Sequence, residues 1–141
     1  MADQQKLQLD VVTPTRHLLT AEADEVVIPA EDGYFGVLPG HHPLISTLGT
    51  GEVMIRLNGR RQYLAIHGGF AEVLANRVIL LCDVAEKAED IDLERAQDAE
   101  RRARQRLTHP PADLDFARAQ VALQRAIIRV QVAKKSIPTS H

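Results

Sequence analysis

The spacing of apolar residues changes period once along this chain, and that change limits what the chain can fold into. From Lys6 to about Cys82 the period is two: Leu7, Leu9 and Val11 alternate with Gln8 and Asp10, and Val53, Ile55 and Leu57 alternate with Met54 and Arg56. Such alternation is the mark of a strand with one wet face. Val26 and Ile28 lead into Pro29, Asn58-Gly59 supplies the two positive-φ residues of a type I′ hairpin turn, and Gln62, Leu64 and Ile66 carry the return strand. Gly68-Gly69 is expected to break the ladder; Phe70 to Leu74 resumes it, Asn76-Arg77 turns, and Val78 to Cys82 closes the series. Frequent turns with no intervening helix predict an antiparallel β-sandwich or flattened barrel.

Past Asp83 the period becomes helical. Glu86, Lys87, Glu89 and Asp90 form a charged connector, and carboxylates open the next segment, where a helix dipole favours them. Leu93, Ala96, Ala99, Ala103 and Leu107 fall at helical spacing until Thr108-His109-Pro110-Pro111 ends the run. A second helix is predicted from Asp113 or Asp115 to about Lys135, with Phe116, Leu123, Ile127 and Val130 along one side and Ala119 and Ala126 beside them. Two such helices around a short breaker make an antiparallel hairpin with close backbones, and Ser136 to His141 reads as a frayed tail. The fold class is therefore α+β, strands first and helices after, with a sandwich domain over 1–86 and a helical hairpin over 87–141.

Charge divides in the same way. Residues 1–90 carry 7 Lys and Arg against 13 Asp and Glu, whereas residues 91–141 carry 10 against 6. Two modules of opposite sign suggest different partners, and the basic one suits an acidic protein surface or a nucleotide. Its alanine stripe buries little area, which fits a mobile element that exchanges partners. Nucleic acid is disfavoured: aromatics are 4% of the chain, Trp is absent, and Phe116 is the sole aromatic of the hairpin. The single cysteine, Cys82, rules out an internal disulfide and lies in an apolar run as a buried thiol. The polar start of the chain and the lack of a long apolar window predict a cytoplasmic protein with no lipid insertion.

The stretch Gly33-Tyr34-Phe35-Gly36-Val37-Leu38-Pro39-Gly40-His41-His42-Pro43-Leu44 is too rich in glycine and proline for a helix or a regular strand. It is expected to be a shaped turn, pinned to a core by Phe35, Val37, Leu38 and Leu44 and presenting Tyr34, His41 and His42. A metal enzyme built on His41, His42 and His67 is disfavoured, because adjacent histidines on a strand point to opposite faces and no His-x-His pair exists. No glycine-rich loop followed by Lys and Ser or Thr is present, so bound ATP would be a ligand and not a substrate.

The loop GYFGVLPGHHPL, the strands around it, the segment Ile91-Asp92-Leu93-Glu94-Arg95-Ala96 and the alanine-rich hairpin together resemble the epsilon subunit of the bacterial rotary ATP synthase, from about Leu7 to Val132. The resemblance implies a sandwich of about ten strands, a non-catalytic role on the central stalk, and a peripheral position on the cytoplasmic side of the inner membrane. Its implied partners are the gamma subunit and the membrane rotor ring, with Glu31, Asp32, Tyr34 and His41 at the ring. The family often carries an acidic residue at the place of Tyr34; here a hydroxyl and an imidazole offer hydrogen bonds instead of a purely ionic contact. The hairpin is implied to insert among acidic loops of the catalytic-head subunits and block ATP hydrolysis. No cofactor is required, but regulatory ATP is implied at the Ile-Asp-x-x-Arg-Ala motif, Ile91, Asp92, Arg95 and Ala96, with Glu86, Arg102, Arg125 and Arg129. Spacing agrees with part of this: Arg125 and Arg129 are one helical turn apart and Arg95 and Arg102 two, so each pair shares a face. The alternative is a sandwich adaptor of another assembly whose basic hairpin binds an acidic protein.

Overall fold

The computed structural model describes residues 5–136, so residues 1–4 and the last five residues of the expected frayed tail lie outside the described residues. The chain divides into two compact units, Met1–Glu86 and Lys87–His141.

The first unit is built from β1 (Leu7–Val12), β2 (His17–Ala23), β3 (Glu25–Ala30), β4 (Gly33–Val37), β5 (Leu44–Leu57), β6 (Arg60–Val73) and β7 (Arg77–Lys87). They form one sheet in the order β2-β1-β7-β6-β5-β3-β4. Leu7, Leu9 and Val11 of β1 share a single buried cluster with Val26 and Ile28 of β3, Val53 and Ile55 of β5, Leu64 and Ile66 of β6, and Val78 and Leu80 of β7. A flat sheet could not bring β1 and β3 into one cluster, so the sheet folds over on itself into two layers.

Four sequence expectations need correction here. About ten strands were expected and the sheet has seven, because β5 and β6 are each 14 residues long and run on where shorter strands were read. Gly68-Gly69 does not break the ladder: Leu48 opposes Gly69 and Thr50 opposes His67 across it. The two glycines bend the strand instead, at φ 78° and 125°, and a Cβ on Gly69 would sit 2.1 Å from the Leu81 carbonyl oxygen. The backbones approach so closely that only glycine fits. The sheet is not wholly antiparallel either, since β1 pairs parallel with β7, Gln8 opposite Arg77 through Val12 opposite Leu81. Parallel neighbours need a long crossover, and here everything from β2 to β6 supplies it. Finally, Gly33–Val37 is a regular strand, β4, paired from Ala30–Gly33 to Val26–Val37 against β3. The loop proper is only residues 38–43. Asn58 at φ 53° and Gly59 at φ 79° make the hairpin turn that their sequence predicts.

Cys82 is buried on β7, and burial, aided by the charge of Asp83, pushes its thiol up to about 12. Such a thiol is inert at neutral pH.

The second unit holds a 3-10 turn, Ala88–Asp90, which packs on the second of two helices, α1 (Leu93–Thr108) and α2 (Phe116–Lys134). Asp92 and Asp115 are the N-caps: each carboxylate accepts the backbone N–H three residues on, from Arg95 and Arg118, both at 3.1 Å. Ala96 and Ala103 of α1 and Ala119, Ala126, Val130, Val132 and Ala133 of α2 are buried. Phe116, expected among the apolar positions, opens its helix and is 54% exposed; burial begins one turn later at Ala119. A seam made largely of methyl groups contributes on the order of 0.8 kcal/mol per buried carbon, far less than a leucine seam.

Candidate functional site

Two sets of residues hold the chemistry, one in each unit. In the sandwich, Glu31 and Asp32 form the exposed turn between β3 and β4, and the Glu31 N–H donates to the Thr47 carbonyl at 3.2 Å. Tyr34 is 55% exposed, yet its hydroxyl oxygen accepts the Glu52 N–H at 3.0 Å. Beyond β4 the loop closes by a His41 N–H to Leu38 carbonyl bond at 3.2 Å and is tied down by Gly40 N–H to the Ala75 carbonyl at 2.6 Å. The His41 ring lies 6.2 Å from Phe35 and 5.6 Å from His42, centroid to centroid. Its Nδ1 is 2.8 Å from the His42 carbonyl oxygen. A carbonyl can only accept, so Nδ1 carries the proton and Nε2 is the acceptor while the ring is neutral. Among the described residues no hydrogen bond or ion pair joins Glu31 or Asp32 to His41; β4 stands between them in the chain. No three His, Cys, Asp or Glu side chains among the described residues form a metal-binding group.

In the hairpin, the Ile-Asp-x-x-Arg-Ala segment starts α1. Ile91 is buried, Asp92 caps the helix, and Ala96 is fully buried, so three of the four motif residues have work in the fold itself. The fourth does not: the Arg95 side chain is 86% exposed, with its Nε 3.9 Å from Asp92 Oδ2. Arg102 and Arg125 are exposed and Arg129 is half-buried. Glu86 is half-buried near the end of β7 in the other unit.

Each of these four arginines immediately precedes a buried residue of the seam: Ala96, Ala103, Ala126 and Val130. One residue is about 100° of helix rotation. Two antiparallel helices packed face to face are related by an axis perpendicular to both, so residues displaced in the same sense from the seam emerge on the same side of the pair. All four guanidinium stems therefore leave the hairpin on one side. A slot of about 260 Å³ lined by Ala99, Arg102, Ala103, Arg106, Ala119 and Ala122 opens there. Arg106, which the sequence reading passed over, thus joins the rim. An open groove of about 650 Å³ next to it is lined by Arg101, Arg102, Arg104, Gln105, Arg106, Thr108 and His109. Arg95, Arg125 and Arg129 line neither. Arg101 is paired with Asp98, and Arg104 with Glu100 at 2.9 Å, on α1 itself. These pairings leave Arg102 and Arg106 as the cations of the slot.

Both units match family models, each described as part of the ATP synthase delta/epsilon chain: the beta-sandwich domain over residues 6–88 and the long alpha-helix domain over residues 89–134. The chain belongs to the ATP synthase delta/epsilon family. By that membership it is a non-catalytic subunit. It is 45% identical over 129 residues to the ATP synthase epsilon chain of Nitratidesulfovibrio vulgaris, covering 92% of this chain and 96% of that one. It is 47% identical over 130 residues to epsilon chain 2 of Syntrophotalea carbinolica, covering 92% and 94%. The fold is also that of a chain in a cryo-EM structure of the Euglena gracilis mitochondrial ATP synthase OSCP/F1/c-ring assembly, with a TM-score of 0.76, 22% identity, and 93% and 80% coverage. No helix among the described residues is long and apolar enough to cross a membrane.

Proposed function

We propose that this chain is the epsilon subunit on the central stalk of a proton-translocating ATP synthase, where it couples rotation of the membrane rotor ring to ATP synthesis and restrains ATP hydrolysis through its hairpin. The sandwich binds the gamma subunit and rests on the rotor ring through the β3–β4 turn and the loop after β4, with Glu31, Asp32 and His41 as the polar contact groups and Tyr34 on β4 between them. The complex sits at the cytoplasmic face of the bacterial inner membrane, and this subunit is held there by protein partners.

The observation that carries the inhibitory part is the pairing of a thin alanine seam with a one-sided arginine rim. A seam so light holds two helices together only weakly, so the hairpin opens at low cost and its cations become available to acidic loops of the catalytic head. The same side of the closed hairpin offers Arg95, Arg102, Arg125 and Arg129 to the phosphates of a regulatory ATP. Ligand on the closed form would stabilise it by mass action and so relieve inhibition.

Removal of residues 87–141 from the chain in the assembled synthase tests this. The truncated sandwich should still assemble, and hydrolysis by the complex should rise. Unchanged hydrolysis in an assembled truncated complex would sink the inhibitory role.

A further inference from the structure

β4 is an edge strand of five residues whose only neighbour in the sheet among the described residues is β3. That neighbour is itself poorly attached at the same level. Its register against β5 jumps from Val27 opposite Met54 to Ala30 opposite Leu48, so Ile28 and Pro29 face the five residues 49–53. Proline has no N–H to give to a ladder. Tyr34, paired with Pro29, bridges this gap from the far side: it reaches across β3, and its hydroxyl oxygen takes the Glu52 N–H of β5 at 3.0 Å. Gly51 makes the room. A Cβ there would lie 2.6 Å from the Tyr34 hydroxyl and 2.6 Å from Pro29 Cβ. Pro29, Tyr34 and Gly51 thus form one device on three adjacent strands. The next residue of β4, Phe35, carries the His41 ring of the loop.

We propose that Tyr34 is a positioning residue for the loop after β4: its oxygen, acting as an acceptor, clamps the edge strand across the β3–β5 irregularity and thereby sets where Phe35 and His41 stand. The proposal rests on the reading that this loop meets the rotor ring. It assigns Tyr34 a part distinct from that of a ring contact, for which the O–H would be the donor.

Two replacements separate the roles. Tyr34→Phe removes both donor and acceptor, whereas O-methyltyrosine at position 34 keeps the acceptor oxygen and loses the donor. In the isolated full-length chain, Tyr34→Phe should speed amide exchange at Glu52 about five- to tenfold, as loss of one hydrogen bond implies, while the O-methyltyrosine form stays close to the parent. In synthase reconstituted into liposomes, Tyr34→Phe should lower proton pumping per ATP hydrolysed and the O-methyltyrosine form should restore it. Unchanged Glu52 exchange in Tyr34→Phe would overturn the clamp. Lost pumping in the O-methyltyrosine form with Glu52 still protected would make Tyr34 a donor to its partner and overturn the proposal. Full pumping in Tyr34→Phe despite faster exchange would also overturn it. Should His41→Ala and Glu31→Ala leave pumping intact as well, it is the rotor-contact reading that fails, and the exchange result still reports on the clamp alone.

Discussion

Arg77 donates twice to one oxygen of Asp10, from Nη2 at 2.9 Å and from Nε at 3.1 Å, and so ties the first strand of the sandwich to the last. Asp10 is 7% exposed, and it also accepts from the Thr20 hydroxyl at 2.7 Å and from Gln8 Nε2 at 3.4 Å. The Thr20 bond first, and then Arg77, hold its carboxyl below the ordinary carboxylate value of 3.8. A folded-state value below the unfolded one means that the stabilisation is whole above the ordinary value and fades as pH falls through the lower, folded-state value. Asp10→Asn should therefore cost about 1–2 kcal/mol at pH 7 and much less near pH 2. Urea denaturation at both pH values checks this, and a cost independent of pH would contradict it.

Gly69 predicts a larger effect from a smaller change. At φ 125°, with the Leu81 carbonyl oxygen 2.1 Å from where a Cβ would stand, Gly69→Ala must push β6 and β7 apart. Strain plus loss of the local ladder should cost about 3 kcal/mol or more. Gly59→Ala meets nothing within 4 Å and provides the comparison at another positive φ. Thermal denaturation of the two variants should rank them clearly, with Gly69→Ala the lower.

Asp92 serves a helix cap, and the proposed nucleotide site claims it too. Asparagine caps about as well as aspartate, while alanine does not. Asp92→Ala should destabilise the hairpin by about 1 kcal/mol and Asp92→Asn by a few tenths at most. Hydrogen exchange along α1 reads the cap. An ATP affinity that falls in Asp92→Asn, with α1 protection intact, would show that the carboxylate itself touches the ligand.

ATP titration of the isolated chain by calorimetry tests the arginine rim. Saturable binding is expected, and Arg125→Ala together with Arg129→Ala should abolish it. No binding up to millimolar-scale ATP would mean that these arginines serve protein partners instead.

The architecture as a class was legible because its causes are local. A period of two becomes a period of 3.6 at one place, Asn58-Gly59 names its own turn, and carboxylates mark both helix starts, with Asp115 settled over Asp113 only by the structure. The arginine rim was half legible: helical spacing pairs Arg95 with Arg102 and Arg125 with Arg129, but that the pairs share a side follows only once Ala96, Ala103, Ala126 and Val130 are known to be the seam. β2 escaped notice because Leu18-Leu19 and the charged residues around them lack clean alternation, and the strand exists by pairing with β1. Gly33–Val37 looked like a turn because Gly33 and Gly36 weaken strand propensity; β3 supplies the partner that overrides it.

The sequence by itself determined that strands come first and helices after, the opposite charge of the two modules and the family, all of which reside in local pattern and composition. Only the tertiary structure decided that Gly68-Gly69 bends a strand without ending it, that β1 and β7 run parallel, that Asp10 answers to Arg77 sixty-seven residues away, and that the Tyr34 oxygen is committed to Glu52. The physical reason is the same for each. These are contacts between residues distant in the chain, made where backbones approach or a polar group must be satisfied, and no periodicity in the sequence encodes which distant strand will arrive.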